Sequence, residues 1–430
     1  MIESLLGFAA LLALIFMRVP VAFAMAIVGI AGFGLTIGWR PSLIAAAEAA
    51  VSTTKEYSLL VIPLFLLMGN FISRAGLAGR LYNASYAWLG HRRGGVARAT
   101  IVSCAGFSAV CGSSLATTAT MARIAVPQMA RLGYSDALST GSIAAGGTLG
   151  ILIPPSVIMV LYGVLTQTDI AALFIAGVIP GLLGILMYNF TVTVVTRISP
   201  EAGPAGARTP RRERWMSLAS VWEILVLFAL VIGGIYVGLF TPTEAAGVGA
   251  FGAFLSVVLR QAAGPRELVA ILYETVLMSA ALLMILIGAF IFANFLNMVG
   301  MPRQISEFVA GQGLPAWAVL GMMIVIYVLL GTILDSISMI LLTIPVFFPL
   351  VQFYGLDPIW FGILVVVVTE ISLITPPIGM NIFILSSMVP RVSITTIYRG
   401  VIPFVIADVV RLALILAFPA IALFLPSMMD

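Results

Sequence analysis

The sequence predicts an all-α polytopic membrane protein built from two inverted-topology repeats. Each repeat is expected to contain a re-entrant helical hairpin and a helix broken by a Pro-Pro pair. Three observations predict this fold: an extremely apolar composition, a set of motifs that returns 222 residues later, and proline pairs placed inside apolar segments.

Composition places the chain in a membrane. Of its 430 residues 61% are hydrophobic and only 9% are charged, and a surface so apolar could not be kept in water. The apolar runs 217–240 and 269–296 reach the ~20 residues that a helix needs to cross a bilayer. The formal charge of +4 lies mainly in loops and indicates membrane topology rather than nucleic-acid binding.

Few residues are suited to metal or hydrolytic chemistry. His91 is the single histidine, so the sequence lacks the residues for a histidine-rich metal centre and does not favour a Ser-His-Asp triad. Cys104 and Cys111 lie in an apolar segment, where packed thiols are more common than a disulfide or a metal site. We therefore expect that the protein is not an enzyme and binds no organic cofactor.

The first half of the chain matches the second. Pro154–Pro155 in "LIPPS" returns as Pro376–Pro377 in "ITPPIG", and at the same offset of 222 residues Pro127 matches Pro349. A register held across most of each half indicates two homologous halves. The polar stretch "RISPEAGPAGARTPRRERW" separates them.

The predicted domains follow from these matches. In the first repeat, 1–196, we expect scaffold helices in 1–90, a hairpin in 97–127, a broken helix in 137–167 and a helix in 170–196. A linker, 197–214, leads to the second repeat, 215–430, with scaffold helices in 215–296, a hairpin in 315–353, a broken helix in 358–389 and a helix in 392–426.

Positive charges orient the halves, since cytoplasmic loops are rich in arginine and lysine. The linker 197–214 carries five arginines and is predicted to be cytoplasmic. The first hairpin is flanked by cations on both sides, with Arg92 and Arg93 before it, Arg98 at its start and Arg131 after it, so it should enter and leave from the cytoplasm. The second lies between Arg303 and Asp357 with no other cation and should enter from outside, which makes the halves inverted.

The helix breaks predict a binding site. Proline in a helix interior removes a donor and costs about 3 kcal/mol, and irregular backbone at membrane depth is tolerated only where it is buried in protein or lines a polar cavity. Free carbonyls suit a small cation, while helix N-termini favour anions. We therefore expect cations beside the hairpin tips and an anion between them, as in a cation-coupled carrier.

The candidate residues are the polar and small residues of the tips and breaks. The cation-binding candidates are Gly112, Ser113, Ser114, Thr117, Gly147, Thr148, Gly150, Pro154, Gly331, Thr332, Asp335, Thr369, Thr375, Pro376 and Gly379. The substrate-binding candidates are Ser114, Thr118, Ser156, Asp335, Ser336, Ser338 and Asn381. Close helix packing by Gly and Ser, and simple kinking by Pro, are the alternative for any one of them.

Ionisable residues within apolar membrane segments usually have a functional role. Asp335, at the second tip, is the best candidate for a functional carboxylate, with a structural helix cap as the alternative. Glu370 either lines the second site or pairs with an arginine outside it. Asp408 and Arg411, three residues apart on the last long helix, are expected to form an i,i+3 pair.

These motifs resemble a known family. "GSSLATTATM", "GILIPPSVIMVLYG", "AGVIPG", "DSISMILLTIPVFFPL" and "ITPPIGMN" are together similar to the large membrane subunit of tripartite ATP-independent periplasmic (TRAP) transporters, over nearly the whole chain. The resemblance implies an elevator carrier of the ion-transporter superfamily in the bacterial inner membrane. Sodium ions, bound at the tips and breaks, would drive uptake of an organic acid such as a C4-dicarboxylate or sialic acid.

The resemblance also implies partners. A periplasmic substrate-binding protein would deliver the acid, and a small four-helix membrane subunit, expected as a separate chain, would accompany this one. Three alternatives remain open at this point: a binding-protein-independent dicarboxylate/sodium symporter, an anion channel, and an intramembrane hydrolase using Asp335 and Glu370. No "GxxxxGK[ST]" motif is present, so an ATP-driven pump is not indicated.

Overall fold

The computed structural model describes residues 2–429, and these residues are helical with no β-strand among them. The helices are α1 Ile2–Phe16, α2 Val21–Thr36, α3 Trp39–Lys55, α4 Val61–Arg74, α5 Leu77–Leu89, α6 Gly95–Cys111, α7 Ser114–Arg131, α8 Asp136–Thr148, α9 Val157–Thr166, α10 Ile170–Ile198, α11 Arg211–Ala219, α12 Trp222–Tyr236, α13 Pro242–Leu259, α14 Pro265–Met298, α15 Met301–Gly311, α16 Ala316–Gly331, α17 Ser336–Phe353, α18 Pro358–Leu373, α19 Met380–Met388, α20 Ile394–Ala417 and α21 Ala420–Leu423.

Six helical segments among the described residues are long and apolar enough to cross a membrane: 57–74, α10, α13, α14, α17 and α20. Helices α11 and α12, which meet at an angle of 50°, make a seventh if they form one span. Large side chains such as Leu186, Phe190 and Leu272 are exposed on their outer faces, as expected for surfaces that contact lipid.

Two helical hairpins stand out in the chain. Helices α6 and α7 pack against each other and are joined by Gly112 and Ser113 alone, while α16 and α17 pack likewise around the segment 332–335. The first hairpin continues past its expected end at Pro127, which lies inside α7, to Arg131. Proline is tolerated there because neighbouring helices in a membrane protein can satisfy the freed backbone groups.

Both double prolines interrupt a helix. Helix α8 ends at Thr148, a single 3₁₀ turn follows, and α9 starts only at Val157; likewise α18 ends at Leu373 and α19 starts at Met380. The peptide bonds Pro154–Pro155 and Pro376–Pro377 are both cis. The chain therefore carries two stretches of non-helical backbone, each between two short apolar helices.

Two expected boundaries differ from the structure. The linker predicted for 197–214 is shorter, since α10 extends to Ile198 and α11 begins at Arg211. The helix predicted for 392–426 ends at Ala417, because Pro419 follows and cannot continue the hydrogen-bond ladder. Both cysteines are free thiols, as expected.

Packing divides the helices into two groups. Helix α14 packs along α2 and also contacts α3 and α4, while α4 packs along α13. The hairpins and interrupted helices form the second group, in which α8 packs against α6, α7 and α20, and α17 against α9. Since α8 and α20 come from opposite halves of the chain, the second group joins both halves.

Candidate functional site

The first hairpin tip touches the first break backbone to backbone. Gly112 has a φ of 62°, a left-handed conformation that favours glycine. A Cβ added at Gly112 would lie 2.7 Å from the carbonyl oxygen of Pro155, and one added at Gly150 would lie 2.8 Å from that of Ser113. Only glycine permits this approach, so the two glycines let the tip and the break pack backbone against backbone.

The proline pairs leave carbonyls without their helical partners. The carbonyls of Gly150 and Ile151 lie four residues before Pro154 and Pro155, which have no N–H to donate. Ile151 recovers a partner, since the Ser156 hydroxyl donates to its oxygen at 2.5 Å. Among residues 2–429, no hydrogen bond reaches the carbonyl of Gly150. A free oxygen of this kind is a ligand suited to a hard cation.

The second break has the same feature. The carbonyl of Leu373 lies four residues before Pro377 and receives no hydrogen bond from the residues described here. Gly379, with a φ of 62°, packs onto it, because a Cβ at this position would lie 3.0 Å from the Leu373 oxygen. Tyr398 donates to the carbonyl of Pro377 at 2.6 Å, so a side chain from α20 supports part of this break.

The two breaks differ in exposure. Residues 149–156 are all buried, whereas Pro376, Pro377 and Ile378 are exposed in the chain taken by itself. The related segments of the two halves therefore have different surroundings.

One cavity lies between the two tips. It is lined by Leu66, Gly112, Ser113, Ser114, Leu115, Ile151, Val157, Ile158, Leu282, Asp335, Ser336, Ile337, Leu373 and Met380. Four helices, α7, α9, α17 and α19, begin at its wall. Because N–H groups at a helix start point outward and carry partial positive charge, the wall favours negative charge.

No lysine or arginine lines this cavity among the described residues, and Asp335 is its only charged group. An anion bound here would therefore meet helix starts and hydroxyls rather than a cationic side chain. A cation bound beside the anion would balance its charge, because a buried charge is costly unless it is paired.

The four helix starts are capped differently. Ser113 and Ser156 accept hydrogen bonds from the third N–H of α7 and α9, at 3.4 Å in each case. Asp335 caps α17 with a full negative charge. Gly379 precedes α19 without any side-chain cap, which leaves the N–H groups of that helix start free for a ligand.

Asp335 caps α17 and also lines the cavity. One carboxylate oxygen accepts from the backbone N–H of Ile337 at 3.1 Å and of Ser338 at 3.2 Å, and the other accepts the Ser338 hydroxyl at 2.5 Å. The side chain is half-buried and lines the cavity. It is a structural cap that also places a negative charge at the site.

The first tip contacts the helix that follows the second break through a pair of candidates from different halves. Ser114, at the start of α7, donates to Asn381 at 3.0 Å, and the Asn381 amide lies 2.7 Å from the serine hydroxyl. The same amide donates to the carbonyl of Ala144 at 3.2 Å. Both side chains are buried, so the pair fixes α19 against α7 and α8 at the cavity wall.

Several other candidates lie away from the cavity. The hydroxyls of Thr148, Thr332, Thr369 and Thr375 bond carbonyls three or four residues earlier in their own helices. Each of these hydroxyls donates its proton within its own segment, and none of the four lines the cavity.

The remaining candidates lie in different surroundings. Thr117 lies 3.5 Å from the Ser108 hydroxyl across the first hairpin, Gly147 packs against Thr118, and Gly331 packs against Ser372. Pro154 faces a different, apolar groove between α5, α6 and α10. Pro376 lies in the exposed break, and Ser336 lines the cavity.

Two cavity residues could not be found from motifs. Leu66 of α4 and Leu282 of α14 line the cavity from the other helix group. Each lies in an ordinary apolar helix, so nothing in the sequence marks it.

Glu370 lies outside the cavity and contacts a charged residue of α20. Arg411 donates to it, and the same guanidinium lies 2.8 Å from Asp408, which confirms the expected i,i+3 pair. All three side chains are fully buried. Of the two interpretations open for Glu370, pairing with an arginine outside the cavity is the one that the structure contains.

Comparison with known proteins gives a consistent result. The family model described as "Tripartite ATP-independent periplasmic transporter, DctM component" matches residues 8–421. The C4-dicarboxylate TRAP transporter large permease protein DctM of Pseudomonas aeruginosa is 39% identical over 378 residues, or 87% of each chain. The sialic acid TRAP transporter large permease protein SiaM of Vibrio cholerae is 30% identical, over 100% of this chain and 99% of that one.

The fold has relatives among solved structures. The Alcanivorax borkumensis YdaH transporter superposes with a TM-score of 0.66 at 15% identity, covering 98% of this chain and 99% of that one. At this identity the likeness concerns the fold alone. Since the family consists of permeases, the chain is a multi-pass membrane transport protein and not an enzyme. It belongs to the DctM family, the large permease components of tripartite ATP-independent periplasmic transporters.

Proposed function

We propose that this permease imports organic acids together with sodium ions, by an elevator movement, in the bacterial inner membrane. It would act with a separate small membrane subunit and a periplasmic substrate-binding protein. The observation that carries the proposal is the convergence of four helix starts on one cavity that contains no lysine or arginine among its described lining residues.

The cavity wall supports an anionic substrate. Helix starts stabilise anions without a cationic side chain, and α19 begins without a side-chain cap. Ser114 and Ser336 line the cavity with hydroxyl groups, and the buried Asn381 amide bonds Ser114. The substrates named for the relatives, C4-dicarboxylates and sialic acid, suggest carboxylates as the class.

Sodium coupling is supported by the free carbonyls. The oxygens of Gly150 and Leu373 have no hydrogen-bond donor among residues 2–429; Gly150 packs against the first tip, and Leu373, at the end of α18, lines the cavity. One cation moving down 100 mV yields about 2.3 kcal/mol. Sodium bound at the two breaks would therefore supply both the charge balance and the driving force for uptake of a dianion.

The elevator movement is supported by the two helix groups. The hairpins and interrupted helices pack with one another, while α2, α4, α13 and α14 form the other group. We propose that the first group moves against the second, that the two halves are inverted repeats, and that the linker 197–214 is cytoplasmic. The cavity, with Leu66 and Leu282 on one wall, lies where the groups meet.

Reconstitution tests the proposal. The chain is placed in liposomes with its small subunit and binding protein, and uptake of labelled C4-dicarboxylate or sialic acid is measured with an inward sodium gradient, an inward proton gradient or none. We expect accumulation only with sodium and binding protein. Full uptake without the binding protein would favour the simple symporter, and equilibration without accumulation would favour a channel.

Matched variants connect that result to the cavity. Asn381→Ala removes the buried amide that holds the start of α19 against α7 and α8, whereas Asn189→Ala removes an amide that bonds only the Ile185 carbonyl within α10. We expect the first to reduce sodium-driven uptake at least tenfold and the second to leave it near wild type. Equal activity of the two variants would contradict the proposal that uptake depends on the helix starts held together at the cavity wall.

A further inference from the structure

A buried group of charges lies apart from the cavity. Glu370 of α18 and Asp408 and Arg411 of α20 are each 0% exposed. One terminal nitrogen of Arg411 donates to Glu370 and lies 2.8 Å from Asp408. Tyr188 of α10 donates to the other Asp408 oxygen at 2.6 Å, and its ring centre lies 5.8 Å from the guanidinium carbon. We call these residues the buried charge cluster.

The charges of the cluster do not balance. Two ionised carboxylates against one guanidinium leave one net negative charge, and burying a net charge costs far more than burying a neutral pair. Within residues 2–429, one oxygen of Asp408 faces Arg411 and the other accepts from Tyr188, whereas Oε1 of Glu370 has no hydrogen-bond donor. The Glu370 oxygen is therefore free to carry a proton.

Among residues 2–429, no other charge on the helices packed against the cluster is near enough to compensate. The helices packed against the cluster carry their remaining ionisable groups at their ends: Asp136 on α8, Asp169 and Arg197 on α10, Asp357 on α18 and Arg399 on α20. Each is at least nine residues from the nearest cluster residue or contact on its helix, roughly 13 Å. Tyr188 is the other titratable group that faces the cluster, and it is occupied as a donor.

We propose that the buried charge cluster is a proton-binding site, in which Glu370 and Asp408 together hold one proton and the unit is neutral. Space favours a proton over a metal ion. A Cβ at Gly184 would collide with the second terminal nitrogen of Arg411 and would lie 3.0 Å from Leu149, so the guanidinium is closely packed. A proton adds no volume.

The proposed proton lies in a hydrogen-bonded series that includes residues from both halves of the chain. Tyr188 also lies 3.2 Å from the Thr148 hydroxyl, so a hydrogen-bonded series runs from the end of α8 through α10 to α20. Helices α8 and α18 are the ones that lead into the two breaks. A neutral cluster holds these two helices together, whereas loss of the proton leaves an uncompensated charge between them.

Proton linkage provides the test. A folded state that holds one proton more than the unfolded chain loses a factor of ten in its folding equilibrium constant for each pH unit of increase. We measure unfolding of the whole chain in mixed micelles from about pH 6 to about pH 9 for wild type, Glu370→Gln and Asp408→Asn. The amide variants are neutral without a proton, so we expect their dependence on pH to be flatter by one proton.

The control is Glu307→Gln, which removes the carboxylate of the exposed pair with Arg303 and should leave the wild-type dependence unchanged. Parallel pH dependences for wild type and both cluster variants would overturn the proposal. If the cluster variants do not fold, infrared spectroscopy of the wild type decides. A carbonyl band of a protonated carboxylic acid that persists at about pH 8 supports the site, and its absence overturns it.

Discussion

At the level of single residues, Asp335 shows how one side chain can have a structural and an electrostatic role. Its oxygens accept the first N–H groups of α17, which stabilises the helix start. The same charge cancels the positive field of that start at the cavity wall. The carboxylate therefore makes its side of the cavity more favourable to a cation than to an anion.

Substitution separates these roles, because asparagine caps a helix about as well as aspartate. We expect Asp335→Asn to fold normally but to need several-fold more sodium for half-maximal uptake, and Asp335→Ala to lose about 1 kcal/mol of stability as well. The control is Asp357→Asn, at the cap of α18 away from the cavity. A sodium requirement unchanged in Asp335→Asn would mean that the cap is the whole role of this residue.

Gly112 is the second residue whose identity is dictated by geometry. Gly112→Ala adds about 1–2 kcal/mol of backbone strain and also a Cβ that would lie 2.7 Å from the Pro155 oxygen, for about 1–3 kcal/mol of overpacking. Gly133→Ala, with a φ of 74° but nothing within 4 Å, carries the strain alone. In thermal unfolding, Gly112→Ala should therefore have a clearly lower midpoint temperature than Gly133→Ala. Equal losses would show that the tip and the break do not press together.

At the level of elements, the cavity depends on where helices begin. The proline pairs and tip residues stop the chain from forming continuous helices, and the shorter helices that result start at one place. Ser114 and Asn381 then connect two of these starts across the halves. The function proposed for the cavity needs α7 and α19 to stay in register.

A double-mutant cycle measures that connection. Ser114→Ala and Asn381→Ala each leave a buried polar group without its partner, which costs about 1–3 kcal/mol. Because the residues contact each other, the double variant should lose less than the sum, with a coupling of about 0.5–3 kcal/mol. The measurement is the free energy of unfolding in mixed micelles. The control is the double variant Ser114→Ala with Asn189→Ala, in which the two residues are remote and the losses should add. Strict additivity for Ser114 and Asn381 would contradict the contact.

At the level of the whole molecule, the sequence predicted the helical membrane fold and the positions of the two breaks, because Pro-Pro within an apolar segment has few other meanings. It could not select which of the threonines face a ligand, since a hydroxyl can always bond its own helix, as Thr369 does. It also could not place Tyr188 and Gly184 beside Arg411. That arrangement depends on how α10 packs against α20, which no short-range pattern encodes.

Sodium binding should also stabilise the whole fold, because a ligand that binds only the folded state favours it by mass action. We expect sodium, but not potassium at the same ionic strength, to raise the unfolding free energy by about 2.7 kcal/mol at a hundredfold excess over its dissociation constant. The measurement is thermal unfolding in detergent. Equal effects of the two cations would indicate ordinary salt screening instead of a specific site.

The length of α14 has a consequence for the surrounding lipid. Its 34 residues extend roughly 51 Å at 1.5 Å per residue, whereas the hydrocarbon layer of a bilayer is about 30 Å thick. The helix must lean steeply, project beyond the layer, or stretch the acyl chains beside it. Acyl-chain length therefore becomes a variable that sets the resting tilt of this helix and of α2 and α4, which pack along it.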